Sequence, residues 1–268
     1  MSGAGRPLDL VALDLDGVVW RGLELLPGAR EALAEVVARG LDLRYVTNNS
    51  TLHRAEVADR LAGYGLPAGP ERVITSGSVT AHWLKGRLPA GATVLVVGEE
   101  GLLRELREAG LVPVRAGLDA LDASGEREEW AGGERGHVQA VVVGMDRSFC
   151  YASLAAAQAA LSQEEVLFVA TNRDNTFPAA QGLLPGAGAI VAAVAAAAGR
   201  EPVVMGKPSS AMALVRTVAT WTRSSEPAVE STVMAIWPPN VPAQELTLRV
   251  DSDRKPYLRM REQPVRHE

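Results

Sequence analysis

Short apolar runs bounded by glycine, proline or acidic residues alternate with stretches of helical period through most of this chain. Residues Val11 to Asp16 read as a strand, Ala29 to Arg39 as a helix opened by Pro27-Gly28 and stopped by Gly40, and Leu43 to Thr47 as the next strand. A helix from His53 to Tyr64, a strand from Arg72 to Thr75 and a helix from Val79 to Gly86 continue the alternation. Strands this apolar, separated by helices, predict right-handed βαβ units wound into a Rossmann-like parallel sheet. Ligands of such sheets bind beyond the carboxyl ends of the strands.

The middle of the chain repeats the pattern with its own strands, Thr93 to Val97, Val138 to Val143 and Val166 to Ala170, and with helices near Leu102 to Ala109 and Ser153 to Leu161. Between them, Asp122 to His137 is charged and glycine-rich and reads as an exposed loop. Beyond Pro185-Gly186 an alanine-rich helix leads to Pro202-Val203-Val204-Met205-Gly206-Lys207-Pro208, a strand ending in a lone lysine. Two sets of strands predict an inserted second domain, and no internal repeat or heptad pattern stands out.

Composition narrows the function classes. A chain of 268 residues, 47% of them hydrophobic, has ample apolar content for one large or two smaller cores, which argues against disorder throughout. A net charge of -5 gives no electrostatic footprint for nucleic acid or an anionic membrane, while leaving room for a phosphorylated small molecule held by local cations. Cys150 is the only cysteine, so two-cysteine redox and zinc patterns are excluded. Met1 to Leu8 has no apolar leader core, and the longest apolar run, Ala189 to Ala198, is too short to span a bilayer. A cytoplasmic location is the expectation.

The sharpest chemical signal is Leu13-Asp14-Leu15-Asp16-Gly17. Strand side chains alternate faces, so Asp14 and Asp16 leave the end of one strand on the same side, and Gly17 permits a sharp turn. Two such carboxylates repel unless a cation lies between them, and Mg²⁺ prefers hard oxygen ligands. A solvated Asp-x-Asp-Gly turn accounts for the same residues. A second signal is Thr47-Asn48-Asn49-Ser50 after an apolar strand, a cradle of hydroxyl, amide and N–H donors for a phosphate oxygen; Thr47 and Asn48 read as the ligand pair, Ser50 and Thr51 as helix caps. The third is Lys207, a cation that could neutralise a carboxylate nucleophile and the phosphate it attacks, or a solvated loop lysine. The histidines, His53, His82, His137 and His267, have no metal-like spacing and read as structural, and Trp20 reads as packing beside the first motif.

Asp14-Leu15-Asp16-Gly17-Val18, Thr47-Asn48-Asn49-Ser50 and Gly206-Lys207-Pro208, in this order, resemble the first three motifs of the haloacid dehalogenase superfamily. Val143-Gly144-Met145-Asp146, Ala170-Thr171-Asn172-Arg173-Asp174 and Leu184-Pro185-Gly186-Ala187-Gly188 resemble its class IIA, the 4-nitrophenyl phosphatase, phosphoglycolate and pyridoxal phosphate phosphatase-like members. The resemblance covers roughly residues 8 to 216. It implies an α/β fold, with a Rossmann-like parallel-sheet core at 1–86 and 200–268 and an inserted α/β cap at 87–199. It also implies a Mg²⁺-dependent phosphomonoester hydrolase of small phosphorylated metabolites. By the same resemblance Asp14 is the nucleophile and, with the backbone carbonyl of Asp16, a Mg²⁺ ligand; Asp16 is the acid and base. Thr47, Asn48 and Asn49 would bind substrate, Lys207 would balance charge, and Asn172 and Asp174 would belong to the cap segment nearest the substrate, where a structural turn is the other reading. Caps of this class often mediate dimers, so a homodimer through the cap is a further expectation.

The resemblance breaks off near the end. The family's fourth motif, Gly-Asp-x-x-x-Thr-Asp, is absent; the chain there reads Val233-Met234-Ala235-Ile236-Trp237-Pro238-Pro239-Asn240-Val241-Pro242, in which Val233 to Ile236 could still be the strand but Trp237 stands where the first acid belongs. None of the 26 glycines lies beyond Gly206, and prolines at 238, 239, 242, 256 and 264 oppose the strand, turn and helix that the fold needs next. An atypical tail after about residue 215, from an altered frame or gene end, is one expectation. Asp251 and Asp253 are the only nearby spaced acids, and they read as a solvated charged stretch. The alternative to an active phosphatase is a catalytically impaired relative that binds phosphorylated ligands, or a frame-disrupted product. A dinucleotide-binding oxidoreductase fails, because Val96-Val97-Gly98-Glu99-Glu100-Gly101 lacks the G-x-G-x-x-G fingerprint.

Overall fold

A computed structural model describes residues 10–117, 137–179, 182–207, 209, 230–236, 244–250 and 256–261. The chain divides into two compact units: Met1–Thr47, Ala55–Ile74 and Met212–Glu268 form the first, Asn48–Arg54 and Thr75–Ala211 the second. The sequence expectation drew the borders at 86/87 and 199/200. The second unit takes in the helix before the first border and the segment after the second, because the strand at Val203–Val204 pairs with the second unit's sheet.

The first unit opens with β1 (Leu10–Leu13), a hairpin of β2 (Trp20–Arg21) and β3 (Glu24–Leu25), α1 (Ala29–Ala38), β4 (Asp42–Thr47), α2 (Arg54–Gly63) and β5 (Val73–Thr75). β1 is shorter than predicted, ending before Asp14, so both acids lie in the turn beyond it. β1 and β4 pair in parallel, Leu13 opposite Tyr45. Tyr45 is fully buried, and its hydroxyl donates to the Pro67 carbonyl at 2.8 Å. Burial pushes the phenol up to about 12, against the opposing pull of Arg72.

The second unit is a five-stranded, wholly parallel sheet. Its elements are α3 (Ser76–Lys85), β6 (Thr93–Val97), α4 (Glu100–Glu108), β7 (Val112–Arg115), β8 (Val138–Val143), α5 (Tyr151–Leu161), β9 (Leu167–Ala170), the hairpin β10 (Thr176–Ala179) and β11 (Gly182–Pro185), α6 (Ala187–Ala198) and β12 (Val203–Val204). The sheet order is β12-β9-β8-β6-β7. Leu95, Val97, Val141, Val143 and Phe168 meet Ala156, Ala160, Ile190, Val191 and Val194 of α5 and α6 in one core. Alternation sends Val94, Val96 and Val142 to the opposite face, and α3 packs against α4. Burial on both faces is why these strands read as unbroken apolar runs.

The chain returns to the first sheet with β13 (Glu230–Ile236), β14 (Gln244–Val250) and β15 (Pro256–Arg261), giving the order β15-β14-β13-β1-β4-β5. β13 lies parallel to β1 with Leu13 opposite Ile236; β14 and β15 then run antiparallel. The prolines had argued against this region continuing the sheet. Pro256, however, occupies the first position of an edge strand, where no ladder donor is lost. Among the described residues no helix follows β13. Trp237, Val241, Pro242, Asp251, Asp253, His267 and the predicted loop from Asp122 through residue 136 lie outside the described residues.

Candidate active site

In the first unit the two acids of the Asp-x-Asp-Gly turn have unlike environments. Asp14 is only 7% exposed, and its Oδ1 accepts the Leu15 N–H at 2.8 Å. Asp16 is exposed and accepts the Trp20 indole N–H at 3.0 Å. The turn is knit by backbone bonds from Gly17 N to Trp20 O and from Val19 N to Leu15 O, with Gly17 at φ +80°, a conformation that favours glycine. Thr47 is buried as the last residue of β4, which neighbours β1.

In the second unit four of the predicted residues gather around one amide. Asn48 Oδ1 accepts the Lys207 backbone N–H at 2.7 Å, and its Nδ2 donates to Asp174 Oδ2 at 2.9 Å and to the Lys207 carbonyl at 3.3 Å. An N–H on one side and a carboxylate on the other fix which amide atom is which. Asn172 donates to the Asn48 carbonyl at 2.9 Å, and its own oxygen takes the Asp174 N–H at 3.0 Å. A shallow depression beside this cluster is lined by Arg173, Asp174, Val204, Gly206, Lys207 and Ser209.

The Asn49 side-chain oxygen is engaged locally. Its Oδ1 accepts the Thr51 N–H, the Thr51 hydroxyl and the Leu52 N–H. That Asx turn does the work the sequence had assigned to Ser50 and Thr51, since α2 begins only at Arg54. Ser50, fully buried, instead accepts the Thr171 hydroxyl and the Met145 N–H, at 3.3 and 3.4 Å. Spacing gave no signal for this, because the partners are 121 and 95 residues away.

His53 is buried rather than superficial. Its Nε2 lies 3.5 Å from Glu105 and 3.2 Å from Glu108, and these three donors are the one group among the described residues compact enough to suit a cation. Arg54 already occupies that role. Its guanidinium lies 2.9 Å from Glu108 and 3.4 Å from Glu105, and its N–H donates to Glu105. Burial works to raise the Glu108 carboxyl, but the Arg54 hydrogen bond and the nearby His53 hold it below its ordinary value.

Residues 11–112 match the family described as haloacid dehalogenase-like hydrolase. The chain is 39% identical over 208 residues to human chronophin, covering 75% of this chain and 67% of that protein. The chain belongs to the haloacid dehalogenase-like hydrolases. It is also 40% identical over 206 residues to the glycerol-3-phosphate phosphatase of Gallus gallus, covering 75% of this chain and 66% of that relative. The chain therefore spans just under two thirds of that curated relative's length. The glycerol phosphate phosphatase of Mycobacterium tuberculosis, solved in complex with magnesium, superimposes with a TM-score of 0.66 at 37% identity, over 80% of this chain and 58% of that one. These similarities establish the class IIA resemblance and the α/β fold of the haloacid dehalogenase-like hydrolases. No described helix is long and apolar enough to cross a membrane.

Proposed function

We propose that the chain is a Mg²⁺-dependent phosphomonoester hydrolase of small phosphorylated metabolites. The observation that carries the reading is the unequal treatment of two acids in one turn: Asp14 buried and fixed by a backbone N–H, Asp16 exposed just before Gly17. A nucleophile gains from being held still and shielded from water, while an acid and base must exchange protons with solvent.

An Asp14 oxygen attacks phosphorus as the bond to the leaving oxygen breaks, and Asp16 delivers its proton to that oxygen. An aspartyl-phosphate results. Asp16 then takes a proton from water as the water oxygen attacks phosphorus, releasing inorganic phosphate and restoring the Asp14 carboxylate. Thr47 holds a phosphoryl oxygen through its hydroxyl, and Lys207 balances the charge of nucleophile and phosphate. Asn172 and Asp174 border the leaving group.

The donor set suits magnesium. The Asp14 carboxylate and the Asp16 main-chain carbonyl are hard oxygens at one strand end, and Mg²⁺ keeps most of its shell as water and phosphate oxygens. When bound there, the ion supplies Lewis-acid neutralisation of the phosphoryl oxygens. A second reading, a catalytically impaired relative that binds phosphate esters, is favoured by one observation: Trp237-Pro238-Pro239 stands where the family carries its fourth-motif acids.

Hydrolysis of p-nitrophenyl phosphate, with and without Mg²⁺, separates the two. Mg²⁺-dependent turnover that Asp14→Asn abolishes, with an unchanged circular dichroism spectrum, establishes the hydrolase. A folded protein that binds phosphate esters without turning them over establishes the impaired relative.

A further inference from the structure

The indole of Trp20 is 3% exposed, and its Nε1 donates to Asp16 Oδ1 at 3.0 Å. Indole nitrogen is a donor only, and a buried indole requires an acceptor. The acceptor here is the carboxylate assigned above to proton transfer, four residues earlier in the same turn.

The ring is held from α2. The Arg60 guanidinium carbon sits 4.2 Å from the indole centroid, and the Tyr64 ring lies 6.1 Å away, tilted by 45°. Arg60 also donates to the Gly22 carbonyl and the Tyr64 hydroxyl to the Leu23 carbonyl, tying the β2-β3 hairpin down on either side of its tip. The Trp20 backbone N–H returns to Leu15 O, and Gly17 N donates to Trp20 O. An exposed aspartate would otherwise sample several rotamers. Here a rigid, clamped donor selects one.

We propose that Trp20 is a positioning residue for proton transfer, holding the Asp16 carboxyl in the rotamer from which it serves the leaving oxygen, with Arg60 as the clamp that keeps the indole in place. The inference rests on the hydrolase reading. It predicts that loss of the indole N–H harms substrates in proportion to their need for a proton. An alkoxide leaving group needs one; p-nitrophenolate, a far weaker base, scarcely does.

The test is Trp20→Phe, which keeps a buried aromatic ring and removes the donor; the ring volume lost with it affects both esters alike. The readout is kcat/KM, which reports the steps through phosphoryl transfer to Asp14. On glycerol 3-phosphate it should fall about tenfold, part of the range typical of general acid catalysis, and on p-nitrophenyl phosphate less than about threefold. Equal falls on the two esters would overturn the proposal, since a general structural defect does not distinguish leaving groups.

A second measurement does not use turnover. In the ¹⁵N-labelled protein the Trp20 indole N–H resonance, assigned as the peak missing in Trp20→Phe, should move in Asp16→Ala. An unmoved resonance overturns the hydrogen bond on which the proposal stands. If the wild-type chain hydrolyses neither ester, the hydrolase reading fails, and the resonance still decides whether the indole holds Asp16.

Discussion

Gly206 stands where three segments of the second unit converge, and Gly206→Ala tests that convergence directly. A Cβ there would lie 2.6 Å from the Thr171 carbonyl oxygen, 2.7 Å from the Asn172 Cβ and 2.7 Å from Asn48 Oδ1. Ordinary contact begins at 3.4 Å, so each neighbour is about 0.7 Å too close. Two of the three belong to backbone or Cβ positions just past β9 and cannot rotate away. Overpacking of this kind costs about 1–3 kcal/mol, and driving Asn48 Oδ1 off the Lys207 N–H adds about 0.5–1.5 kcal/mol, giving about 1.5–4.5 kcal/mol in all.

With a urea slope of about 2 kcal/mol/M, the transition of the second unit should move down by about 1–2 M when followed by far-UV circular dichroism. Lys207 follows Gly206 directly, so p-nitrophenyl phosphate turnover should fall by up to about a hundredfold, the consequence of ångström-scale misplacement. Gly63→Ala is the control. Apart from its own helix backbone and chain neighbours, nothing lies within 4 Å of its added Cβ; it closes helix α2, and replacing helical glycine by alanine stabilises by up to about 1 kcal/mol. If Gly206→Ala unfolds at the wild-type urea concentration, the three segments do not approach as described, and the arrangement of Asn48 around Lys207 is wrong with it.

Three other substitutions address separate claims. Tyr45→Phe removes the donor to the half-buried Pro67 carbonyl and should destabilise the first unit by about 0.5–1.5 kcal/mol in the same urea assay. Asn48→Asp should be worse than Asn48→Ala, because it replaces the amide donor facing Asp174 and the Lys207 carbonyl with an acceptor; the order of the two urea midpoints decides. Glu99 is partly desolvated, which raises its pKa, but the two-pronged Arg147 ion pair, at 2.8 and 2.6 Å, outweighs this and holds it below the ordinary value of 4.5. A lowered folded value means stability that is fully present above the unfolded value and is lost as pH falls through the folded one. The wild-type advantage over Glu99→Gln, about 1 kcal/mol at pH 7 after solvent screening, should therefore shrink below pH 4.5 in melts across pH 3–7.

How legible each part was follows from where its stabilisation comes from. β6 and β8 were read to the residue, because strands buried on both faces are continuous apolar runs whatever their neighbours. The β2-β3 hairpin, β7 and the β10-β11 hairpin were not read. Their strands are two to four residues long and three of the five contain proline, so none is long enough to show a strand period in the sequence. Asp14 and Thr47 were readable as strand-end residues. The bonds of Asn48 to positions 126 and 159 residues away, and the indole bond to Asp16, were not, since side-chain geometry rather than spacing creates them.

The last strands turn the missing motif into a prediction about metal affinity. β13 runs parallel to β1 with Ile236 level with Leu13, so the residue after Ile236 in sequence corresponds to Asp14 after Leu13. That residue is Trp237, where the family pattern carries an acid. On the proposed reading, the described residues offer a cation at Asp14 one carboxylate and the Asp16 carbonyl, and binding leans on water and substrate oxygens. Trp237→Asp restores an acid at the sequence position where the family pattern carries one. Isothermal titration with Mg²⁺, which needs no turnover, should show about tenfold tighter binding, and Asp14→Asn should erase the gain. A folded Trp237→Asp protein with unchanged Mg²⁺ affinity would refute the correspondence between Trp237 and the first acid of the family's fourth motif.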